Sequence, residues 1–200
     1  PIRFNGATSS ATMITVPMFL SAPNALVSAT TVDPANSVLR LGTGNGTLDF
    51  AGNIKFELAN SLPGDTGFGY VVLEPYLKDT TASTGTVTYE RVNGGTAHQV
   101  RLLNNTAYSG DTIVNGPRLE IDIYDLTAPF GNSGGVTQTV VNGAQVIINS
   151  TSGDFIIPNE RLTLNIFMTF ASVLASRAAS FSAVQTWMGE IVVPAFATIR

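Results

Sequence analysis

Apolar and polar residues alternate with a period of two along much of the chain. In Leu119–Tyr124 aliphatic residues occupy every second position, and Ile54–Leu58 and Leu162–Met168 show the same alternation. Because successive side chains of a strand point to opposite faces, each segment predicts a strand with one face in the core and the other in solvent. Half-buried strands of this kind are typical of antiparallel sheets, and we predict roughly nine to eleven of them.

Two Asn-Gly pairs each separate two of the strand-like segments. Asn93-Gly94-Gly95 lies between Val87–Val92 and His98–Leu102, and Asn142-Gly143-Ala144 lies between Thr137–Val141 and Gln145–Ile148. Asn and Gly readily adopt the positive φ angles that tight hairpin turns require. Both pairs of segments are therefore predicted to form antiparallel hairpins.

One segment has helical rather than strand spacing. The apolar residues Val173, Leu174, Ala178 and Phe181 predict a single short helix over Ala171–Ser180. No segment shows the strand–helix alternation of a parallel sheet, and we find no internal repeat. We therefore predict an all-β fold, an antiparallel β-sandwich of the jelly-roll kind with at most one short helix.

The first 35 residues differ from the rest of the chain. Residues 1–35 predict an extended N-terminal arm, and residues 36–200 predict a single β-sandwich domain. Within the arm, Met13–Leu20 is an apolar run that Pro17 restricts to a sheet edge or a bulge, so it could be exchanged between subunits. A start at Pro1 fits removal of an initiator Met in the cytosol better than secretion.

The composition excludes several classes of protein. Charged residues make up 12% of the 200 residues, about half of the usual share, and the mean hydropathy of +0.23 is too high for a disordered chain. A net charge of −4 without a basic run argues against nucleic-acid binding. The absence of cysteine excludes disulfides and thiolate metal sites. The apolar stretch Leu162–Val184 carries Arg177 near its centre, which makes a membrane span unfavourable.

One set of residues has the order of a catalytic triad. Gly131–Gly135 resembles the nucleophile loop of chymotrypsin-like serine proteases, and with His98 and either Asp111 or Asp122 the order along the chain is His, Asp, Ser. His98 and Ser133 are only 35 positions apart, whereas those proteases place them on two separate barrels. Because geometry rather than order defines a triad, we interpret the pentapeptide as a solvent loop.

Paired carboxylates form a second candidate. Glu120 and Asp122 share one face of the predicted strand, with Asp125 just beyond it, and such pairs can serve as acid and base in glycoside hydrolysis. The simpler interpretation is that they form the solvent face of an amphipathic strand. The glycine-rich segment Gly42–Gly46 lacks the spacing and the following helix of a phosphate-binding loop, so it predicts a turn.

Aromatic residues offer a third candidate, a sugar-binding platform made of Trp187, Phe68, Tyr70 and Tyr76. Packing in the core or at an interface is the preferred interpretation. With one histidine and no cysteine, a transition-metal site is not expected. The sequence thus predicts no catalytic, cofactor-binding or metal-binding residue, and a protein that is not an enzyme.

The whole pattern of short strands, low charge, long Gly/Asn/Thr loops and an extended arm resembles single jelly-roll subunits of viral capsids. The resemblance implies a virion protein that works by self-association, in a large homo-oligomer with or without other structural proteins. The chain lacks the basic arm of capsid proteins that bind RNA, so direct binding of the genome is not expected.

A local resemblance points to a second kind of assembly. Gly46–Phe50, Leu62–Asp65 and Phe181–Gln185 are similar in order and type to segments of the TasA-type biofilm-matrix fibre proteins. This resemblance implies an extracellular fibre or pilus subunit on the cell surface, polymerising when a donor strand such as Met13–Leu20 inserts into the next subunit. A carbohydrate-binding β-sandwich module is a further alternative.

Overall fold

A computed structural model of the chain describes residues 2–7, 12–14, 18–20, 24–31, 37–41, 48–50, 53–60, 71–75, 85–92, 98–106, 108–117, 119–131, 137–151, 153–158, 160–178, 184–194 and 196–200, with the backbone alone before residue 53 and at residues 59–60, 71–74, 92, 98, 155 and 178. The strands in these ranges are β1 (Ile2–Ala7), β2 (Thr12–Ile14), β3 (Met18–Leu20), β4 (Asn24–Thr31), β5 (Ser37–Leu41), β6 (Leu48–Phe50), β7 (Asn53–Asn60), β8 (Val71–Pro75), β9 (Val87–Val92), β10 (His98–Leu102), β11 (Thr112–Asn115), β12 (Leu119–Tyr124), β13 (Gln138–Asn142), β14 (Gln145–Ser150), β15 (Phe155–Ile157), β16 (Arg161–Asn165), β17 (Val173–Ala178), β18 (Gln185–Trp187), β19 (Ile191–Val192) and β20 (Thr198–Ile199).

The strands form a parallel β-solenoid. Sheet A has eight strands in the order β1-β4-β7-β9-β11-β13-β16-β19, and sheet B has eight in the order β2-β5-β8-β10-β12-β14-β17-β20. All pairs between these strands are parallel. The chain therefore passes from sheet A to sheet B and back, and each passage, here called a circuit, adds one strand to each sheet.

A third, shorter side closes the circuits between sheet B and sheet A. The pairs β3–β6 and β15–β18 lie on this side, and both are parallel. The prediction of an antiparallel β-sandwich or jelly roll was therefore wrong. Period-two alternation arises whenever one sheet face is buried and the other exposed, and the sheets of this solenoid meet that condition although their strands are parallel.

The two Asn-Gly signals do not correspond to hairpins. β9 and β10 belong to different sheets, as do β13 and β14, so neither pair is hydrogen-bonded. Asn93–Gly95 lie outside the described residues, whereas Asn142-Gly143 lies at a corner between the two sheets. There Gly143 has a φ of 68°, and a Cβ would come within 2.6 Å of the Phe167 Cβ. Glycine thus permits both the turn and the close approach of the next circuit.

The predicted helix over Ala171–Ser180 is also wrong, because Val173–Ala178 is strand β17 of sheet B. The described residues contain no helix. Leu174 points into the core and is 6% exposed, while Val173 and Ala175 on the other face are only partly buried. Small apolar residues on both faces hide the period-two pattern in this strand.

The core lies between the sheets, where the parallel register stacks like positions of successive circuits in columns. In sheet A one column contains Ile54, Val87, Thr112, Thr139 and Leu162. In sheet B one column contains Val100, Ile121, Val146 and Leu174. These side chains are at most 6% exposed, and each buried aliphatic side chain contributes about 1.5–3 kcal/mol to folding.

The circuits differ in length, which explains why no repeat is visible in the sequence. Successive strands of sheet A begin 22 to 34 residues apart. Strands of the segment 1–35 lie in the same two sheets as later strands, since β1 pairs with β4 and β4 with β7.

Candidate functional site

The outward face of sheet B holds a polar network centred on the carboxylates of β12. Parallel register places Gln99 beside Glu120 and Arg101 beside Asp122. The Gln99 side-chain amide donates to Glu120 Oε1 at 2.9 Å and to Asp122 Oδ2 at 2.5 Å, and Arg101 Nε donates to Gln99 Oε1 at 2.9 Å. β10 and β12 are thereby joined through side chains as well as through their backbones.

Asp122 is buried although it lies on the outward face. Its side chain is 2% exposed, compared with 21% for Glu120. Burial, and then the neighbouring Glu120 charge, raise the pKa of Asp122 to about 6, although Arg177 opposes the change. The interpretation of this strand face as solvent-exposed therefore holds in part for Glu120 and not for Asp122.

Arg177 connects this network to β17, which is the second strand from β12 in sheet B. It lies on β17, beside Asn149 of β14, and its guanidinium reaches across β14 to Glu120 at 3.1 and 3.4 Å and to Asp122 at 3.8 Å. Ile147 on the outward face of β14 is only 1% exposed, so this part of the outward face is covered. The network links three circuits, and Asp122 is enclosed within it.

Of the other residues considered from the sequence, some lie outside the described residues and others have structural hydrogen-bond partners. Ser133 of the triad candidate lies outside the described residues, and His98 is level with Leu119 in the sheet register. Asp111 instead accepts a hydrogen bond from the Gln138 backbone at 3.2 Å. Asp125 accepts hydrogen bonds from the Thr151 backbone at 3.1 Å.

The glycine-rich segment and most of the aromatic platform cannot be located in the fold. Gly42–Gly46, Phe68, Tyr70 and Tyr76 all lie outside the described residues. Trp187 is partly buried and faces Phe130 at a ring-centroid distance of 6.4 Å, so it packs against the core.

Two further kinds of site were sought in the described part of the chain. There, no three side chains of His, Asp or Glu come close enough together to hold a metal ion. Within the same ranges, no apolar helix reaches the length needed to cross a membrane.

A different surface stands out at one end of the solenoid. Among the side chains that the structure describes, all of which follow residue 52, no large apolar one before Ile156 is exposed. Ten later ones are exposed: Ile156, Ile166, Phe167, Met168, Phe170, Val184, Met188, Val193, Phe196 and Ile199. β19 and β20 are the outermost strands of sheets A and B at this end. We call β19, β20 and the described residues between them, 193–194 and 196–197, the open end.

Sequence alternation did not reveal the open end, because alternation identifies buried faces and not the last circuit of a stack. The sequence signal for an exposed apolar surface was the run Ile166-Phe167-Met168 just after β16, because apolar side chains at a turn are not buried by their own circuit.

Two turns, one beside the open end and one within it, combine exposure with an unusual backbone. Met168 and Phe196 are each 81% exposed, and their φ angles are 57° and 75°. Bulky residues seldom adopt positive φ, at a cost of about 1–3 kcal/mol, and such outliers concentrate at functional positions. The two turns are neighbours, because Thr163 pairs with Val192 before them and the Thr198 amide donates to the Ser172 carbonyl after them.

One core column, that of sheet B, reaches β20 and ends there on an exposed side chain. Ile199 is level with Leu174 in the register, yet it is 57% exposed while Leu174 is 6% exposed. The backbone amides of Thr198 and Arg200 donate inwards to Ser172 and Leu174, both at 3.0 Å. Because amides alternate in direction along a strand, the amide of Ile199 points away from β17 towards the uncovered edge.

Comparisons of the chain with protein-family models, with curated proteins and with solved structures found no match.

Proposed function

We propose that the protein is a structural subunit that associates end to end with copies of itself to form a fibre. The observation that carries the proposal is the open end, where a core column stops at an exposed Ile199. An uncovered sheet edge next to exposed apolar side chains is a template for pairing with another chain.

A second copy can supply the matching surface. β1 and β2 are the outermost strands of sheets A and B at the opposite end, so both ladders could continue if they were placed against β19 and β20. Such a contact joins two different surfaces, and head-to-tail contacts that do not close a ring produce filaments. The solenoid therefore supports a fibre rather than a closed shell. The expectation of a capsid shell rested on a jelly-roll fold, and the chain folds as a solenoid instead. The extracellular location of such a fibre is proposed from the sequence resemblance alone.

The composition supports burial of this surface. Charged residues account for only 12% of the chain, which contains two lysines, Lys55 and Lys78. Lysine is depleted at interfaces because burying its charge and ordering its long side chain are unfavourable. Apolar side chains at the open end instead gain about 25 cal/mol for each Å² removed from water.

The test is to measure the molar mass of the chain by light scattering over a range of concentrations, and to image it by negative-stain electron microscopy. We expect unbranched filaments, or a mass that rises with concentration. Ile199→Asp should reduce association at least tenfold, because it places a charge on the end of the core column. Ile113→Asp is the matched control, since Ile113 lies partly exposed on the outward face of sheet A far from the open end.

A second pair of variants separates backbone pairing from apolar contact. Ile199→Pro removes the outward amide but keeps the inward bonds of Thr198 and Arg200, whereas Ile199→Val keeps the amide and an apolar side chain. Association should be lost in the first and retained in the second. A wild-type chain that stays monomeric at every concentration would overturn the proposal.

A further inference from the structure

Glu160 lies in the circuit directly before the last one, and its carboxyl group is buried against the circuit of β13. Glu160 directly precedes β16 and is 3% exposed, and its Oε1 accepts a hydrogen bond from Thr139 Oγ1 at 2.7 Å. Among the described residues, no lysine, arginine or histidine forms an ion pair with it. An ionised carboxylate at this position would be buried without a neutralising partner.

Apart from Thr139, the described groups near Glu160 do not stabilise its negative charge. The Asp111 carboxylate repels it, and the Tyr108 hydroxyl, which is also close, is itself hydrogen-bonded to Thr112. The nearby charges of the last two circuits, Arg161 and Glu190, pair with each other at 3.0 Å. Burial first, and then Asp111, raise the pKa of Glu160 to about 7, while the Thr139 hydrogen bond opposes the rise.

The last circuit rests directly on Glu160. The indole Nε1 of Trp187 donates to the Glu160 carbonyl at 2.6 Å, and the Glu190 carbonyl accepts a hydrogen bond from Leu162 at 2.8 Å. Between them, Gly189 lies so close that a Cβ there would overlap the Glu160 backbone. The Glu160 carboxyl group faces Thr139 of the preceding circuit, while the Glu160 carbonyl binds Trp187 of the last circuit. Movement of Glu160 to hydrate an ionised carboxylate would therefore disturb its backbone contacts with the last circuit.

We propose that Glu160 is a pH-sensitive switch: its protonated form keeps the last circuit closed on the solenoid, and its ionised form loosens that circuit. For its effect on assembly, the inference rests on the proposed function, because the last circuit carries the open end. The fibre would then be favoured at mildly acidic pH and weakened at alkaline pH.

Trp187 reports on the switch, since it is the only tryptophan in the chain and contacts the Glu160 backbone. In a fluorescence titration from about pH 5 to 9, the emission of the dilute chain should shift to longer wavelength as pH rises, with a midpoint near pH 7. Glu160→Gln should abolish the shift. His98→Asn is the control, because the only histidine of the chain could titrate in the same range, and it should leave the midpoint unchanged.

Two conservative variants test the switch even where Glu160→Gln fails to fold. Thr139→Val removes the hydrogen bond that stabilises the ionised form, so the midpoint should rise by roughly 0.5 to 1 pH unit. Asp111→Asn removes the repelling charge while keeping an acceptor for Gln138, so the midpoint should fall by a similar amount. Midpoints that move in the same direction, or that do not move, overturn the switch.

The pH dependence of assembly is measured separately by light scattering. Wild-type association should weaken across the fluorescence midpoint, and the association of Glu160→Gln should not change with pH over that range. A titration at Trp187 in a chain that never associates would support the conformational switch and overturn the proposed fibre. Association without any titration at Trp187 would support the fibre and overturn the switch.

Discussion

Two buried tyrosines in the core differ in one respect, the partner of the hydroxyl group. Tyr89 is fully buried and stacks on Phe56 at a centroid distance of 5.3 Å, but its hydroxyl has no hydrogen-bond partner among the described residues. Tyr108 is 3% exposed, and its hydroxyl is 2.5 Å from Thr112 Oγ1. The phenolic oxygen of Tyr89 therefore costs stability, and that of Tyr108 contributes to it.

Exchange of each tyrosine for phenylalanine should have opposite effects. Tyr89→Phe should raise the free energy of unfolding by about 1 kcal/mol, since it removes a buried polar group that lacks a partner. Tyr108→Phe should lower it by about 1 kcal/mol, because Thr112 loses its short hydrogen bond. Urea unfolding monitored by circular dichroism measures both, and a loss of stability in Tyr89→Phe would contradict the reasoning.

At the scale of the strands, a ladder of asparagine side chains links three circuits at the C-terminal ends of their strands in sheet A. Asn115, Asn142 and Asn165 are level in the register of β11, β13 and β16. The Asn142 amide donates to Asn115 Oδ1 at 2.6 Å, and the Asn165 amide donates to Asn142 Oδ1 at 3.0 Å. Stacked amides hold the corner in register in addition to the backbone hydrogen bonds.

The middle of the ladder should matter more than its end. Asn142→Ala removes both side-chain hydrogen bonds and should lower the free energy of unfolding by about 1–2 kcal/mol, whereas Asn115→Ala removes one and should cost about half as much. Thermal unfolding of the two variants under the same conditions gives the comparison. Equal losses would show that the ladder does not act as a unit.

The positions of the strands could be predicted from the sequence, but their partners could not. Leu119–Tyr124 was predicted as a strand and is β12 with the same bounds. Its alternation is the same whether its neighbours run parallel or antiparallel, because one face is buried in either case. The break at Asn142-Gly143 was likewise located correctly, but a local turn signal does not distinguish a hairpin from a corner between two sheets.

The candidate site was less predictable than the strands, because it depends on which circuits become neighbours. Glu120 and Asp122 were recognised as a pair, yet their contact with Arg177 joins residues 57 positions apart along the chain. Glu160 has no sequence signal of its own, and its contacts with Thr139 and Gly189 join residues that are 21 and 29 positions away along the chain. Such contacts depend on the lengths of the circuits between the residues, and these lengths cannot be read from the sequence because no repeat is visible in it.

For the whole molecule, a stack of circuits predicts stability that changes along its axis. Strands such as β12 and β14 are covered on both edges, whereas β19 and β20 are covered on one edge only. Amide hydrogen exchange should therefore be slower in β12 and β14 than in β19 and β20. On assembly the amides of β20 should gain at least tenfold protection, and mass spectrometry at low and high concentration measures the change. Uniform protection along the axis would contradict this description.

The stacking direction of the eight strands in each sheet also determines what a fibre of these subunits would look like to X-rays. Strands lie about 4.8 Å apart in a sheet, so one subunit would advance the fibre by about 38 Å along its axis. Strands perpendicular to the axis would give the meridional 4.8 Å reflection of a cross-β pattern. A folded, soluble precursor could thus form a fibre with the diffraction signature of amyloid, without any subunit having to unfold.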